Sequence, residues 1–244
     1  MPYLNARPLT CGLEHRLVFL PPAPLAAELR AGRLDAALVS VTEVLLARDY
    51  DVLDGVAVAS DGPVFSVFLA HRVPLAGVRE IACDPASLTS VNLLRVLLAA
   101  RGLRPALREL KDYADAARHE AVLLIGNPAI AFRLAPHGHA LWDLGEAWRD
   151  LSGLPFVYAV WALRRATDTA ALRVELRAAR DRGRQGLPRL IRETAEFDEA
   201  TRYAYLTRHI RYGLGPAEKA GLARFAEELN RLGLGPAELP RFVV

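Results

Sequence analysis

Hydroxyl side chains recur in two nearby segments of this chain, and both segments favour the binding of an anion. Ser66 lies on an apolar segment directly after the turn-forming sequence Asp-Gly-Pro. A loop further on begins a predicted helix and carries the hydroxyls of Ser87, Thr89 and Ser90. Hydroxyls and unpaired N–H groups at a helix N-terminus attract anions. These two segments therefore predict a cleft that holds a small carboxylate.

Each candidate residue also has a purely structural explanation. Ser66 can be a small residue in a crowded strand, and Thr89 and Ser90 can cap their helix, since Ser and Thr are common N-caps. Gly126 and Asn127 stand where a predicted strand meets a helix, a frequent ligand position in open α/β sheets. Asn127 can equally cap the helix that follows it. The residues alone leave these alternatives open.

The amino-acid composition limits the classes of protein to which this chain can belong. The chain has 244 residues, of which 52% are apolar and 24% charged, which is typical of a globular α/β protein with one large or two small domains. The net charge of +3 suits an anionic metabolite. No basic block of the kind found in nucleic-acid binders is present. We therefore expect a small-molecule ligand and no nucleic-acid partner.

Targeting signals and metal motifs are not visible in the sequence. Met1 is followed at once by Pro-Tyr-Leu-Asn, without the basic and apolar regions of a signal peptide, and the apolar runs are too short to span a bilayer. We expect a cytoplasmic protein without membrane contact. Cys11 and Cys83 have no metal-binding spacing, and neither do the six histidines. No nucleotide loop or catalytic triad is recognisable, so we expect no metal and no cofactor.

Strands and helices alternate through the first two thirds of the chain, which predicts an α/β fold with a parallel or mixed sheet. Strands are predicted at residues 17–20, 34–39, 56–59, 64–72, 81–83, 121–125 and 155–163. Helices are predicted at residues 25–31, 42–47, 89–100, 128–134 and 142–151, and residues 164–244 are predicted to be almost wholly helical.

Two of the predicted strands, 64–72 and 155–163, are long and enclose the middle of the chain. If both cross between two lobes, they act as hinges on either side of a cleft. Residues 1–66 and 162–244 would then form one discontinuous lobe with a helical tail. Residues 67–161 would form an inserted second lobe. The tail could pack only on its own lobe or provide a dimer face, and the sequence does not favour either.

Seven segments, taken in order, resemble one known family. They are Y-L-N-A-R-P-L (3–9), L-x-x-G-R-L-D-A-A-L-V (29–39), S-D-G-P-V-F-S (60–66), D-P-A-S-L-T-S-V (84–91), L-I-G-N-P-A (124–129), D-L-G-E-A-W (143–148) and L-P-F-V-Y-A-V-W-A (154–162). Together they resemble the chorismate dehydratase family of the futalosine route to menaquinone. The resemblance implies a type II periplasmic-binding-protein-like fold, with two lobes, two hinge strands and a ligand cleft between the lobes.

The activity that this resemblance implies is the loss of water from chorismate to give 3-[(1-carboxyvinyl)oxy]benzoate, without a cofactor. Asn5 and Ser66 fall on the positions of the family's functional asparagine and serine, although Asn5 can also be a turn residue before Pro8. The reaction makes an aromatic ring, so holding the substrate in a reactive pose is the main demand. We hypothesise that the substrate's own side-chain carboxylate accepts the ring proton.

Three other functions remain alternatives. A related enzyme of the same pathway makes 1,4-dihydroxy-6-naphthoate, but the quoted segments fit the dehydratase better. A non-catalytic carboxylate-binding protein of this fold needs a secretion signal or a membrane tether, and neither is visible. The ligand-binding domain of a transcription regulator needs a helix-turn-helix, which the tail does not convincingly provide.

Overall fold

The computed structural model describes residues 3–86 and 88–244. Ser87, one of the predicted substrate-binding residues, lies outside the described residues. Among the described residues, no helix is both long and apolar enough to cross a membrane.

The described chain alternates strands and helices as far as residue 164 and is mainly helical beyond it. The strands are β1 (Ala36–Ser40), β2 (Tyr50–Ser60), β3 (Val67–His71), β4 (Glu80–Cys83), β5 (Ala106–Glu109), β6 (Ala121–Ile125), β7 (Ala140–Asp143), β8 (Phe156–Arg164) and β9 (Arg241–Val243). The α-helices are α1 (Pro22–Arg30), α2 (Val41–Leu46), α3 (Leu88–Ala100), α4 (Gly126–Leu134), α5 (Leu144–Ser152), α6 (Ala170–Gln185), α7 (Leu187–Glu193), α8 (Glu199–Ala204) and α9 (Pro216–Arg231).

The strands form two mixed sheets. The first has the order β1-β8-β2-β9, with β8 antiparallel to both β1 and β2 and with β9 parallel to β2. The second has the order β5-β4-β6-β3-β7, in which β3 runs antiparallel to its neighbours β6 and β7. Strands from the start and the end of the chain therefore share the first sheet, while the second sheet is built from the middle.

The middle strands of the second sheet, β4, β6 and β3, are buried on both of their faces. Because successive side chains of a strand point to opposite sides, β3 divides its residues between two apolar clusters. Val67 and Leu69 belong to the main core, which continues into the first sheet. Phe68 and Ala70 belong to a smaller cluster on the other face. Burial on both faces explains why this strand reads as a continuous apolar run rather than an alternating one.

An aromatic cluster joins the long strand β8 to two helices. The ring of Trp148 on α5 meets Phe156 of β8 at a centroid distance of 5.3 Å, and Phe225 of α9 packs on both rings. All three side chains are almost completely buried. Trp148, Phe156 and Phe225 are therefore core residues.

Most predicted elements are present, with three corrections. Residues 17–20 were predicted as a strand but form none, because their backbone groups have no neighbouring strand with which to pair. Trp142 was placed in a helix, but it lies in β7, and α5 begins only after Asp143, whose side chain caps it. β2 extends from Tyr50 rather than from residue 56, since β8 pairs with it at Tyr50–Val52 and, after an irregularity, again from Ala57.

The predicted hinge strands each lie in one sheet. The segment 64–72 is observed as β3, which starts only at Val67 and pairs only within the second sheet. The segment 155–163 is observed as β8, which pairs only within the first sheet. The chain passes between the sheets just before each of these strands. The division into lobes stays a prediction, and we propose that its second boundary lies ahead of Phe156 rather than at 161/162.

Candidate functional site

A cleft brings residues of both sheets together. Its lining residues are Tyr3, Asn5, Pro22, Ser40, Val58, Val64, Ser66, Val67, Ala86, Thr89, Ser90, Ile125, Gly126, Tyr158 and Ala159. Five of the predicted site residues are therefore brought together: Asn5, Ser66, Thr89, Ser90 and Gly126.

The lining of this cleft carries hydroxyls and an amide rather than charges. Among the described lining residues there is no aspartate, glutamate, histidine, lysine or arginine. The polar groups belong to three serines, one threonine, one asparagine and two tyrosines. Such a lining can donate hydrogen bonds to an anion but offers no ordinary base at neutral pH.

Ser66 stands at the end of a three-residue turn. Its N–H group donates to the Val64 carbonyl at 2.8 Å, across Phe65, which has a positive φ of 70°. This combination is typical of a classic γ-turn, a rare and strained conformation. Positive φ is unfavourable for a residue with a bulky side chain, and such strain costs about 1–3 kcal/mol. The surrounding structure must therefore hold the turn in place.

Asp143 and Arg133 hold this turn from the second sheet. The buried carboxylate of Asp143 accepts hydrogen bonds from the N–H groups of Val64 (3.0 Å) and Phe65 (2.8 Å), and it also caps α5. Arg133 donates from Nε to the Phe65 carbonyl at 3.0 Å, and its guanidinium lies 4.6 Å from the Phe65 ring centroid. The burial of Arg133 lowers its pKa, although Asp143 opposes that change.

Tyr205 contacts Ser66 from behind the cleft. Its hydroxyl lies 2.7 Å from Ser66 Oγ. Tyr205 is 1% exposed and begins a π-helical turn, Tyr205–His209, that follows α8. Burial raises the pKa of this phenol well above its usual value, so it stays protonated at neutral pH. A neutral phenol is therefore the hydrogen-bond partner of Ser66.

The 3₁₀ segment Leu4–Leu9 presents Asn5 to the cleft. Its first N–H group, that of Leu4, donates to Asn127 Oδ1 at 3.0 Å. Its other end packs against α6, where Gly183 lies so close that an added Cβ would stand 1.9 Å from the Pro8 carbonyl oxygen. These two contacts fix the segment at both ends.

Asn127 and Gly126 position the start of the chain. Asn127 is not among the residues that line the cleft, and its amide oxygen is occupied by Leu4. Gly126 has a positive φ of 60°, and an added Cβ would lie 2.9 Å from the ring of Tyr3. Only glycine meets both conditions, so Tyr3 can lie across the cleft. The predicted binding roles of Gly126 and Asn127 stay predictions.

Thr89 connects the two sides of the cleft. Its hydroxyl accepts a hydrogen bond from the Thr42 N–H at 3.0 Å, lies 3.1 Å from Thr42 Oγ1 and also contacts Ser40 Oγ. The Thr89 N–H in turn donates to Ser40 Oγ at 3.1 Å. One hydroxyl has one donor and two acceptor sites, so these partners use its capacity. Thr89 thereby ties α3 to α2.

Asp84 lies beneath the loop that leads to α3. It is 1% exposed, and its carboxylate accepts hydrogen bonds from the Ala86 N–H (2.9 Å), Tyr113 Oη (2.8 Å) and the Ile125 N–H (3.3 Å). Burial nevertheless raises the pKa of this carboxyl above its ordinary value. Asp84 therefore links β4, β6 and the loop rather than facing the cleft.

The sequence analysis missed Tyr205, Ser40 and Tyr3. Tyr205 lies in the helical tail, where its spacing indicates only an amphipathic helix. Ser40 was overlooked because it ends a strand without any recognised motif. Tyr3 belongs to the Y-L-N segment, which pointed to Asn5 alone. Among the described residues, no group of three histidine, cysteine or acidic side chains could hold a metal ion.

Comparisons with known proteins agree with this architecture. Residues 1–231 match the family model described as menaquinone biosynthesis. A curated protein named chorismate dehydratase, from Thermus thermophilus, is 34% identical over 93% of this chain and 93% of its own.

Two solved structures share the fold at low sequence identity. Protein AF1704 from Archaeoglobus fulgidus has a TM-score of 0.77 at 16% identity, with 96% of each chain covered. The alkanesulfonate-binding protein SsuA from Xanthomonas axonopodis, bound to MOPS, has a TM-score of 0.70 at 18% identity, with 96% of this chain and 92% of that chain covered. The predicted periplasmic-binding-protein-like fold is confirmed. With a family model that matches residues 1–231 and a near full-length relative, this chain belongs to the menaquinone biosynthesis family.

Proposed function

We propose that this protein is a chorismate dehydratase, a hydro-lyase that removes water from chorismate to give 3-[(1-carboxyvinyl)oxy]benzoate. The observation that carries this proposal is the similarity to the Thermus thermophilus chorismate dehydratase, which extends over 93% of both chains. The residues that line the cleft all fall within the matched family region.

The chemistry of the cleft supports this reaction. Chorismate has two carboxylates and a ring hydroxyl, and the lining supplies hydroxyl and amide groups that can bind all three. The described lining residues include no ordinary base, so the proton acceptor is sought on the substrate. We propose that the side-chain carboxylate of chorismate takes the ring proton. The electrons of that C–H bond form the new ring double bond, the C–O bond breaks, and the departing hydroxide takes up the proton to leave as water.

We assign the residues of the cleft to two tasks. Asn5 and Ser66 both line the cleft and are proposed to bind the ring hydroxyl that leaves. Ser90, which lies on α3, and Ser87 are proposed to bind a carboxylate, with Gly126 and Thr89 forming the adjacent wall. Holding the substrate in one reactive pose is the main contribution of the protein.

The test is to incubate the purified protein with chorismate and follow the product by mass spectrometry. We expect a product lighter than chorismate by one water, formed in proportion to enzyme concentration. The Ser66→Ala variant is the matched negative control, since it keeps the fold and loses a proposed ligand. Unchanged chorismate that raises the melting temperature would identify a binding protein. If the protein neither binds chorismate nor converts it, the proposal is overturned.

A second experiment tests the proton acceptor. Each of the six histidines is replaced in turn by glutamine, and turnover and chorismate binding are measured. We expect every variant to retain turnover, because none of these residues lines the described cleft. A single variant that binds chorismate but does not turn it over would assign the proton transfer to that histidine.

A further inference from the structure

Tyr205 has a position that the roles of Asn5 and Ser66 do not explain. It is not among the residues that line the cleft, yet its hydroxyl lies 2.7 Å from the Oγ atom of Ser66, which is proposed to bind the leaving group. It comes from the C-terminal part of the chain, 139 residues from Ser66. A neutral phenol with one O–H group can fix the direction of this hydrogen bond.

An unsatisfied atom identifies a hydrogen-bond acceptor in the same cleft. Asn5 lines the cleft, and its Oδ1 atom is buried and has no hydrogen-bond partner among the described residues. This oxygen can therefore accept a hydrogen bond from a ligand.

The hydroxyl hydrogen of Tyr205 has one available acceptor. Buried hydroxyl hydrogens are almost always donated, and Ser66 Oγ is the only hydrogen-bond partner of the Tyr205 hydroxyl among the described residues. If Ser66 donated instead, the Tyr205 hydrogen would be buried without an acceptor. Tyr205 therefore donates to Ser66, and the hydrogen of Ser66 is free to point into the cleft.

We propose that Tyr205 is a positioning residue that sets Ser66 as a hydrogen-bond donor toward a substrate oxygen, while the unpaired Asn5 Oδ1 serves as the hydrogen-bond acceptor for the same group. A hydroxyl group matches this pair, since its oxygen accepts from Ser66 while its hydrogen donates to Asn5. A carboxylate oxygen does not, because it would face the lone pairs of Asn5. The assignment of that hydroxyl to the one that leaves rests on the proposed dehydratase function.

The chain contains a matched control for this proposal. Tyr212 is also buried, but its hydroxyl has no hydrogen-bond partner among the described residues. We compare Tyr205→Phe with Tyr212→Phe, both of which remove one buried phenol oxygen. We expect Tyr205→Phe to lower kcat about 10-fold or more while KM changes less than about 3-fold. Tyr212→Phe should keep kcat near the wild-type value. Equal kcat values for the two variants would overturn the proposal.

A double-mutant cycle separates positioning from a general structural effect. In a Ser66→Ala background, Tyr205 has no serine to orient, so Tyr205→Phe should lower the residual kcat by less than about 2-fold. A structural role would instead give the full loss in both backgrounds. Such additivity would contradict the proposed action through Ser66.

An NMR measurement tests the same contact without turnover. The hydroxyl proton signal of Tyr205, assigned by its loss in Tyr205→Phe, should shift in Ser66→Ala and stay in place in Tyr212→Phe. An unshifted signal in Ser66→Ala would disprove the Ser66–Tyr205 bond whether or not the protein is an enzyme. If wild type does not dehydrate chorismate but the signal shifts, only the proposed function fails.

Discussion

Two hydroxyl clusters in the same cleft differ in how their hydrogen bonds are used. The first, here named the donor cluster, consists of Asn5, Ser66 and Tyr205, and it leaves Asn5 Oδ1 without a partner. The second, named the bridge cluster, consists of Ser40, Thr42 and Thr89, and its hydroxyls bond one another across the cleft. The donor cluster has free capacity for a ligand, while the bridge cluster holds two elements together.

This difference shows why a hydroxyl in a cleft is not by itself a binding group. Ser66 and Thr89 were both predicted to contact substrate, and both line the cleft. The hydroxyl of Thr89 has its donor and acceptor positions used by the bridge cluster, so a ligand would have to break an existing bond. We therefore expect changes in the donor cluster to affect catalysis and changes in the bridge cluster to affect stability.

The largest expected effect is on the turn that supports the donor cluster. Asp143→Ala removes the acceptor of four backbone N–H groups, and we expect the free energy of unfolding to fall by about 3 kcal/mol. Denaturant unfolding measures this loss. The control is Asp198→Ala, which removes an exposed cap of α8 and should cost less. An equal loss in both variants would mean that Asp143 is an ordinary helix cap.

Within the donor cluster, Asn5→Ala should lower kcat roughly 100-fold, as the loss of one oriented polar group in an active site does. The melting temperature should change little, since Asn5 Oδ1 has no partner to lose. Asn127→Ala is the matched control, because its amide supports Leu4 and does not line the cleft. An equally large fall of kcat in Asn127→Ala would place Asn127 in the site, as the sequence alone suggests.

The bridge cluster should respond in the opposite way. Thr89→Val keeps the shape and removes the hydroxyl, which leaves the Thr42 N–H unpaired, so we expect a loss of about 1–2 kcal/mol in unfolding free energy. The kcat value should stay within about 3-fold of wild type, as expected for a group outside the reaction. Thr207→Val, on the surface, is the control. Lost chorismate binding with unchanged stability would instead make Thr89 a ligand.

The smallest expected effect concerns Asp84, beneath the loop on the bridge-cluster side. Burial raises the pKa of Asp84 above 3.8. The protonated carboxyl therefore stabilises the folded state, and this stabilisation is complete below that pH. It is lost as the pH rises through the pKa of the folded state. Compared with Asp84→Asn, wild type should therefore lose unfolding free energy as the pH rises from about 4. Parallel stability curves for the two proteins would contradict the buried, titrating carboxyl.

The strands and helices that could be predicted are those fixed by local patterns. The strand 121–125 is observed as β6 with the same bounds, because five apolar residues lie between a charged segment and a glycine. Residues 17–20 have an equally apolar pattern but form no strand, since a strand also needs a partner to pair with. Trp142 was assigned to a helix because its neighbours have helical spacing, while its pairing with Leu69 in the sheet cannot be read from sequence.

The sequence by itself determined the fold class, the order of the family segments and the presence of Asn5, Ser66, Thr89 and Ser90 in the cleft. Only the tertiary structure decided which of these groups has hydrogen-bonding capacity to spare. A hydroxyl can make few hydrogen bonds, and its partners come from distant parts of the chain. Tyr205, from the helical tail, reaches Ser66 only in the folded protein, and Ser40 reaches Thr89 in the same way. Those partners determine whether each hydroxyl is free to meet a ligand or is used to hold the cleft together.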